Sequence, residues 1–220
     1  MMDLEKFRRL PLMGIVRGVD IAVVEPLVET VIAAGLETLE ITLNTAGAPA
    51  MIARARAVAG DRLVVGAGTV VDIAGLVAAL ASGAGFIVSP VLVPDVVGEC
   101  RWRGIPVFPG ALTPTEIFAA AAAGAAMVKV FPASVFGPGY LREIHGPMAH
   151  VELLACGGIR ASNAGEYLAA GAAALAFGGS VFSPARLAAG DFAAVGRDVA
   201  ALVAACREAG SGANGAVPAA

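Results

Sequence analysis

Short apolar runs and longer helical patterns alternate along almost the whole chain. Eight runs stand out: Leu12–Arg17, Thr38–Leu43, Leu63–Ala67, Gly85–Ser89, Ile105–Pro109, Met127–Phe131, Glu152–Ala155 and Ala174–Phe177. Each is short, rich in β-branched or small apolar residues and followed by a turn signal, the pattern of a strand buried on both faces. Between them lie Val23–Ala34, Ala48–Ala59, Ile73–Ser82, Val93–Arg103, Thr115–Ala123, Gly139–Ile144 and Ser162–Ala170, most with apolar residues at helical spacing, and a final helix is predicted from about Phe192 to Ala209. Asp72, Pro94-Asp95, Thr113-Pro114-Thr115-Glu116 and Ser162-Asn163 read as helix starts. Gly35, Gly83, Gly104, Gly124 and Gly171 fall where a helix C-terminus wants a left-handed residue. Strands alternating with helices imply a parallel α/β sheet, and eight such units close into a (β/α)8 TIM barrel. An open doubly wound sheet is the alternative, but it normally has fewer strands, and no Gly-x-Gly-x-x-Gly follows the first run. Residues 1–209 are expected to form one barrel domain, and 210–220, rich in Gly, Ser and Ala, a disordered tail.

Composition narrows the class. The chain is 58% hydrophobic with only 5% aromatics, yet its longest apolar run, Ile117 to Val128, falls well short of the roughly 20 residues a membrane helix needs. The N-terminus is charged and amphipathic, without the apolar core of a signal peptide. A soluble cytoplasmic protein with no membrane partner is expected. With a net charge of −3 and no basic block, nucleic-acid binding has no electrostatic support. Cys100, Cys156 and Cys206 are odd in number and widely spaced, which suits neither a disulfide framework nor a zinc site. His145 and His150 sit in a polar connector and read as surface residues rather than ligands.

In a barrel of this type chemistry gathers at the C-terminal ends of the strands. Lys129 lies inside the run Ala126-Met-Val-Lys-Val-Phe-Pro132, and the only other lysine is Lys6; every other cationic side chain is Arg. A lysine can lose its proton and act as an amine nucleophile, which arginine practically cannot. The plainer reading is a strand-end lysine whose stem reaches solvent. Glu40, between Leu39 and Ile41, is a carboxylate costly to bury unless paired or functional. It reads either as one partner of an interior ion pair or as a general acid/base beside an amine nucleophile. Arg17, at the end of the first run, offers a fixed cation suited to a carboxylate or phosphate. Gly157-Gly158 and Gly178-Gly179, followed by Ser180, close the last two runs. Glycines there expose backbone N–H groups, and a phosphate group commonly sits at these loops. No cluster of Asp, Glu and His gathers at the strand ends, so no metal and no cofactor are expected.

Leu39-Glu-Ile-Thr-Leu-Asn44, Val65-Gly-Ala-Gly-Thr-Val70, Ile87-Val-Ser-Pro90, Phe108-Pro-Gly110, Val128-Lys-Val-Phe-Pro132, Gly157-Gly-Ile159 and Gly178-Gly-Ser180, in this order, resemble the class I 2-keto-3-deoxy-6-phospho-sugar-acid aldolases from about Leu12 to Arg207. The resemblance implies Lys129 as Schiff-base residue and Glu40 as acid/base. It also implies that Arg17, Thr69, Pro90 and Phe131 line the site, that Gly158, Gly178, Gly179 and Ser180, with Gly157 beside them, hold a phosphate, and that the chain is a homotrimer. Within the family, Asn44 and Phe136-Gly-Pro-Gly-Tyr140 resemble the members acting on 2-dehydro-3-deoxy-6-phosphogalactonate. Thr42 resembles those acting on the gluconate epimer, and Cys156 stands where the latter carry Thr. The galactonate epimer is therefore the expected substrate, with Asn44 and Cys156 as specificity positions. Two rivals are a phosphate-binding barrel isomerase, in which Lys129 acts only as a charge, and a catalytically silent sugar-phosphate sensor.

Overall fold

Successive side chains on a strand point to opposite faces, so each barrel strand sends one set inward and the other toward the helices. The computed structural model describes residues 1–213. Its strands are β1 (Leu12–Val16), β2 (Thr38–Thr42), β3 (Val64–Gly68), β4 (Ile87–Val88), β5 (Val107–Phe108), β6 (Gly110–Ala111), β7 (Val128–Val130), β8 (Leu153–Cys156) and β9 (Ala172–Phe177). They form one parallel sheet in the order β5-β4-β3-β2-β1-β9-β8-β7-β6.

The two ends of that row are consecutive in sequence. Pro109 lies between them, and a proline has no N–H to give to a ladder. β5 pairs with β4 through Ile87↔Val107 and Val88↔Phe108, and β6 pairs with β7 through Gly110↔Lys129 and Ala111↔Val130. The expected fifth strand is thus present in two pieces, and the sheet curls into a nearly closed (β/α)8 barrel, not a doubly wound sheet.

The helices follow the predicted pattern closely; Ala48–Ala59 and Pro114–Ala123 are examples. The last runs from Phe192 to Ala213 rather than stopping near Ala209, and 214–220 of the expected tail lie outside the described residues. Two short helices, Leu4–Arg9 and Pro184–Ala188, have no counterpart among the predicted elements. His145 is the last residue of helix Pro138–His145 and half-buried against Gly171, not a surface residue of a connector. Among the described residues no helix is long and apolar enough to cross a membrane.

Two cores result. Leu39, Ile41, Val65, Val128 and Val130 pack outward against the helices. Inside the barrel, Met13, Phe86, Phe108, Met127 and Leu154 form a second cluster. Its floor is closed by Met2 and Phe7 from the N-terminal segment. Met2 donates its backbone N–H to Gly85 O at 3.0 Å, and Phe7 meets Phe108 edge-on at 6.0 Å. The opposite, C-terminal end stays open.

Candidate active site

Because Leu39 and Ile41 serve the outer core, Glu40 between them must point into the barrel. It is completely buried, and neither carboxylate oxygen has a hydrogen-bond partner. Burial raises its pKa above the ordinary carboxylate range, an effect opposed by the positive charges of Lys129 and Arg17. The same alternation on β7 sends Val128 and Val130 outward and Lys129 inward, where it is 5% exposed. Lys129 Nζ lies 5.5 Å from the Phe131 ring centroid. β2 and β7 are separated by β1, β9 and β8, so the carboxylate and the amine face one another across the barrel. They feel each other's charge without forming the interior ion pair that would make Glu40 purely structural.

Above them a cavity of about 770 Å³ opens at the C-terminal end. Arg17, Thr69, Pro90, Lys129, Phe131, Cys156, Gly157, Gly158, Gly178, Gly179 and Ser180 all line it. Thr69 adopts φ +57°, a left-handed conformation that a β-branched residue enters only under strain. Its Oγ1 accepts from Arg17 Nη2 at 3.5 Å. The turn after Arg17 is held by Gly18 N–H donating to Thr45 Oγ1 at 2.9 Å, and that hydroxyl is 3.1 Å from the buried Thr42 Oγ1. Cys156 is a buried thiol, pushed up to about 11 chiefly by burial; at neutral pH it is a small apolar wall rather than a nucleophile.

The loops after β8 and β9 form the other side. Gly157 and Gly158 have φ +105° and +76°, and a Cβ on Gly158 would stand 2.7 Å from Ser134 Cβ. A Cβ on Gly179 would meet nothing within 4 Å, leaving its backbone open to the cavity. Ser180 Oγ donates to Ile159 O at 3.2 Å, and Asn163 Nδ2 to Gly158 O at 3.0 Å. The first bond ties the two loops together, and the second fixes the β8 loop to helix Ala161–Ala169 directly behind it. Glycine-rich backbone backed by a helix N-terminus suits an anion such as a phosphate.

Two expected positions stand apart. Glu40 does not line the cavity, being sealed among interior side chains, and Asn44 is exposed and outside the lining. Arg160, Ile15 and Pro184 line it although the sequence does not single them out. Arg160 carries a usable signal as the first cation after Gly157-Gly-Ile159; Ile15 and Pro184 have none beyond their places on β1 and at the start of helix Pro184–Ala188. The lining holds three cations, Arg17, Lys129 and Arg160, and no carboxylate, a balance that fits an anionic ligand. Among the described residues no group of three or more His, Cys, Asp or Glu is placed to hold a metal ion.

Residues 4–198 match the family model described as KDPG and KHG aldolase. A 2-dehydro-3-deoxy-phosphogluconate aldolase of Treponema pallidum is 38% identical over 194 residues, covering 87% of this chain and 90% of the relative. The 2-dehydro-3-deoxy-6-phosphogalactonate aldolase of Escherichia coli is 33% identical over 175 residues, 79% and 85% of the two chains. Among solved structures, a KDPG aldolase from Legionella pneumophila, with pyruvate captured as a covalent carbinolamine intermediate, superposes with TM-score 0.82 at 25% identity, covering 89% of this chain and 95% of that one.

Proposed function

This chain belongs to the KDPG and KHG aldolase family and is an aldolase; from that premise we propose that it is a class I enzyme cleaving 2-dehydro-3-deoxy-6-phosphogalactonate to pyruvate and D-glyceraldehyde 3-phosphate. The observation that carries the reading is the inward-facing amine of Lys129 at the floor of an anion-suited cavity, opposite the unpartnered carboxylate of Glu40. The covalent pyruvate intermediate of the Legionella relative supports the same chemistry.

The amine of Lys129 gives up its proton and attacks the C2 ketone, and loss of water from the carbinolamine, which takes that proton back, leaves an iminium that serves as an electron sink. Glu40, directly or through a water, takes the proton of the C4 hydroxyl. The C3–C4 bond breaks, its electrons flow into the iminium, and glyceraldehyde 3-phosphate leaves. The remaining enamine is protonated at C3, with Glu40 returning its proton, and hydrolysis frees pyruvate and the lysine. Arg17 and Thr69 are the candidates for the substrate carboxylate. Gly158, Gly178, Gly179 and Ser180 would hold the phosphate, with Pro90 and Phe131 as walls. We take residues 1–209 as one catalytic domain, working in the cytoplasm as a homotrimer; the family resemblance supports the trimer, and exposed Val77 and Phe118 supply uncovered apolar surface. Light scattering on the purified chain checks that mass.

The galactonate assignment rests on Asn44, the Phe136–Tyr140 segment and Cys156. Since Cys156 lines the cavity and Asn44 does not, the choice of epimer falls mainly to Cys156. Comparing kcat/KM for the two epimers decides it, and a preference for the gluconate form overturns the assignment.

The first test is borohydride reduction in the presence of pyruvate, followed by peptide mass spectrometry. A pyruvate-sized adduct on Lys129, absent from a folded and inactive Lys129→Ala protein, is expected. Folded wild-type protein with no adduct would discard the Schiff-base mechanism and leave Lys129 as only a charge.

A further inference from the structure

β3 presents bare backbone to the barrel interior at two successive inward positions. Val65 and Ala67 pack outward, so Gly66 and Gly68 face in. A Cβ on Gly66 would fall 2.4 Å from Phe86 Cζ, which explains that glycine as a seat for a core ring. Gly68 seats something else. A Cβ there would fall 1.6 Å from Glu40 Oε1, 2.3 Å from its Cδ and 2.7 Å from its Cγ. Three consecutive atoms of the glutamate therefore lie across the glycine's open face. Backbone conformation does not demand glycine at this position, since Gly68 is not among the residues with positive φ, whereas Thr69 beside it is. What demands it is space.

We infer that Gly68 is a positioning residue: its missing side chain is the slot that holds the Glu40 carboxylate at the depth where it can serve the substrate bound on Lys129. This rests on the Schiff-base reading above. Glu40 has no hydrogen bond to orient its oxygens, so its placement depends on shape. One wall of that shape is the β3 backbone at Gly68. The strand itself is fixed by Leu43 N–H donating to Gly68 O at 2.7 Å and by the Thr42↔Gly68 register, so Glu40 and not the strand must give way to an added methyl. Contact at Cγ as well as at the oxygen means that the side chain must leave its rotamer, moving the carboxylate.

The experiment compares wild type, Gly68→Ala, Glu40→Ala and the double variant, each assayed for aldol cleavage, pyruvate trapping on Lys129 and melting midpoint. Gly68→Ala is expected to lower kcat by about 100-fold or more, the scale of a lost general acid/base, with KM changed far less. Trapping on Lys129 persists, because nucleophile and fold are intact. In the Glu40→Ala background the methyl has nothing to strike, so the double variant should match Glu40→Ala in turnover and recover any melting loss that Gly68→Ala alone incurs. If Gly68→Ala fails to fold, a folded double variant still locates the clash at Glu40. Wild-type turnover in Gly68→Ala overturns the inference. So does a loss that multiplies with that of Glu40→Ala, or a double variant that stays as unstable as Gly68→Ala. The melting comparison does not depend on chemistry: no pyruvate adduct on wild-type protein defeats the Schiff-base reading, while the recovered midpoint bears on Gly68 alone.

Discussion

Glu40 is a fully buried acid whose carboxylate has no hydrogen-bond partner, and the two nearby cations only partly offset what burial costs its charged form. The sign of the resulting pH dependence follows. Its folded pKa lies above the unfolded one, so the native state binds more protons, and stability falls as pH rises from the ordinary carboxylate range through the raised value. Glu40→Gln removes that loss. We expect its melting midpoint to gain on wild type as pH rises above the ordinary carboxylate range, while turnover falls by about 10²- to 10⁴-fold. A midpoint difference that stays constant with pH would show that Glu40 does not change charge in this window. Lys129 and Glu40 are both legible in the sequence for one reason: a titratable group interrupting a strand whose neighbours are apolar has nowhere to point but the interior. Gly68 stands in the sequence only as part of a motif, because the absence of a side chain carries no periodicity. Its role exists only in the distance to a residue 28 positions earlier.

At the level of elements, local chemistry predicts what local chemistry controls. Thr113-Pro114-Thr115-Glu116 reads as a helix start, and helix Pro114–Ala123 opens with Thr113 Oγ1 accepting from Glu116 N–H while Glu116 Oε2 accepts from Thr113 N–H at 2.8 Å. Helix Leu4–Arg9 escapes the pattern, since six residues make too short a window for periodicity. Its Asp3 cap, which accepts from the Glu5 and Lys6 N–H groups, is the available signal. The division of the fifth strand is unreadable for a different reason. Ile105–Pro109 looks like one strand, and only the barrel's closure shows that the chain continues through Pro109 into Gly110–Ala111 to reach β7. That joint tolerates no side chain: a Cβ on Gly110 would lie 2.0 Å from Pro90 O, backbone against backbone. Gly110→Ala should therefore cost about 3 kcal/mol, the upper range for overpacking, measured as a shift in urea midpoint. A neutral result would mean that Gly110 and the Pro90 backbone just after β4 are not in contact at the closure.

The molecule as a whole separates its two ends. The C-terminal end carries an open cavity with three cations, a strained Thr69 and paired glycines, features that contribute ligand binding rather than packing. The N-terminal end is closed by Phe7, 3% exposed, against Phe108, and the Arg8–Glu152 ion pair at 2.7 Å ties the same helix to the residue that precedes β8. An exposed pair of this kind contributes at most about 1 kcal/mol, so the aromatic ring does more than the ion pair to hold the floor in place. A (β/α)8 barrel can divide labour in this way because its interior side chains form stacked layers, and a change in the lowest layer need not move the highest. Phe7→Ala should then cost about 3–5 kcal/mol of stability, the range for an excised core ring. At a temperature where the variant remains folded, kcat and KM should stay within about twofold of wild type, because no atom of Phe7 reaches the cavity lining. Lys129→Ala is its mirror image, with turnover lost and melting little changed. Measuring both variants by urea denaturation and by aldol cleavage tests the separation directly. A Phe7→Ala protein that is fully folded yet catalytically impaired would show that the floor of the barrel sets the position of Glu40 or Lys129, and the two ends would have to be treated as one coupled core.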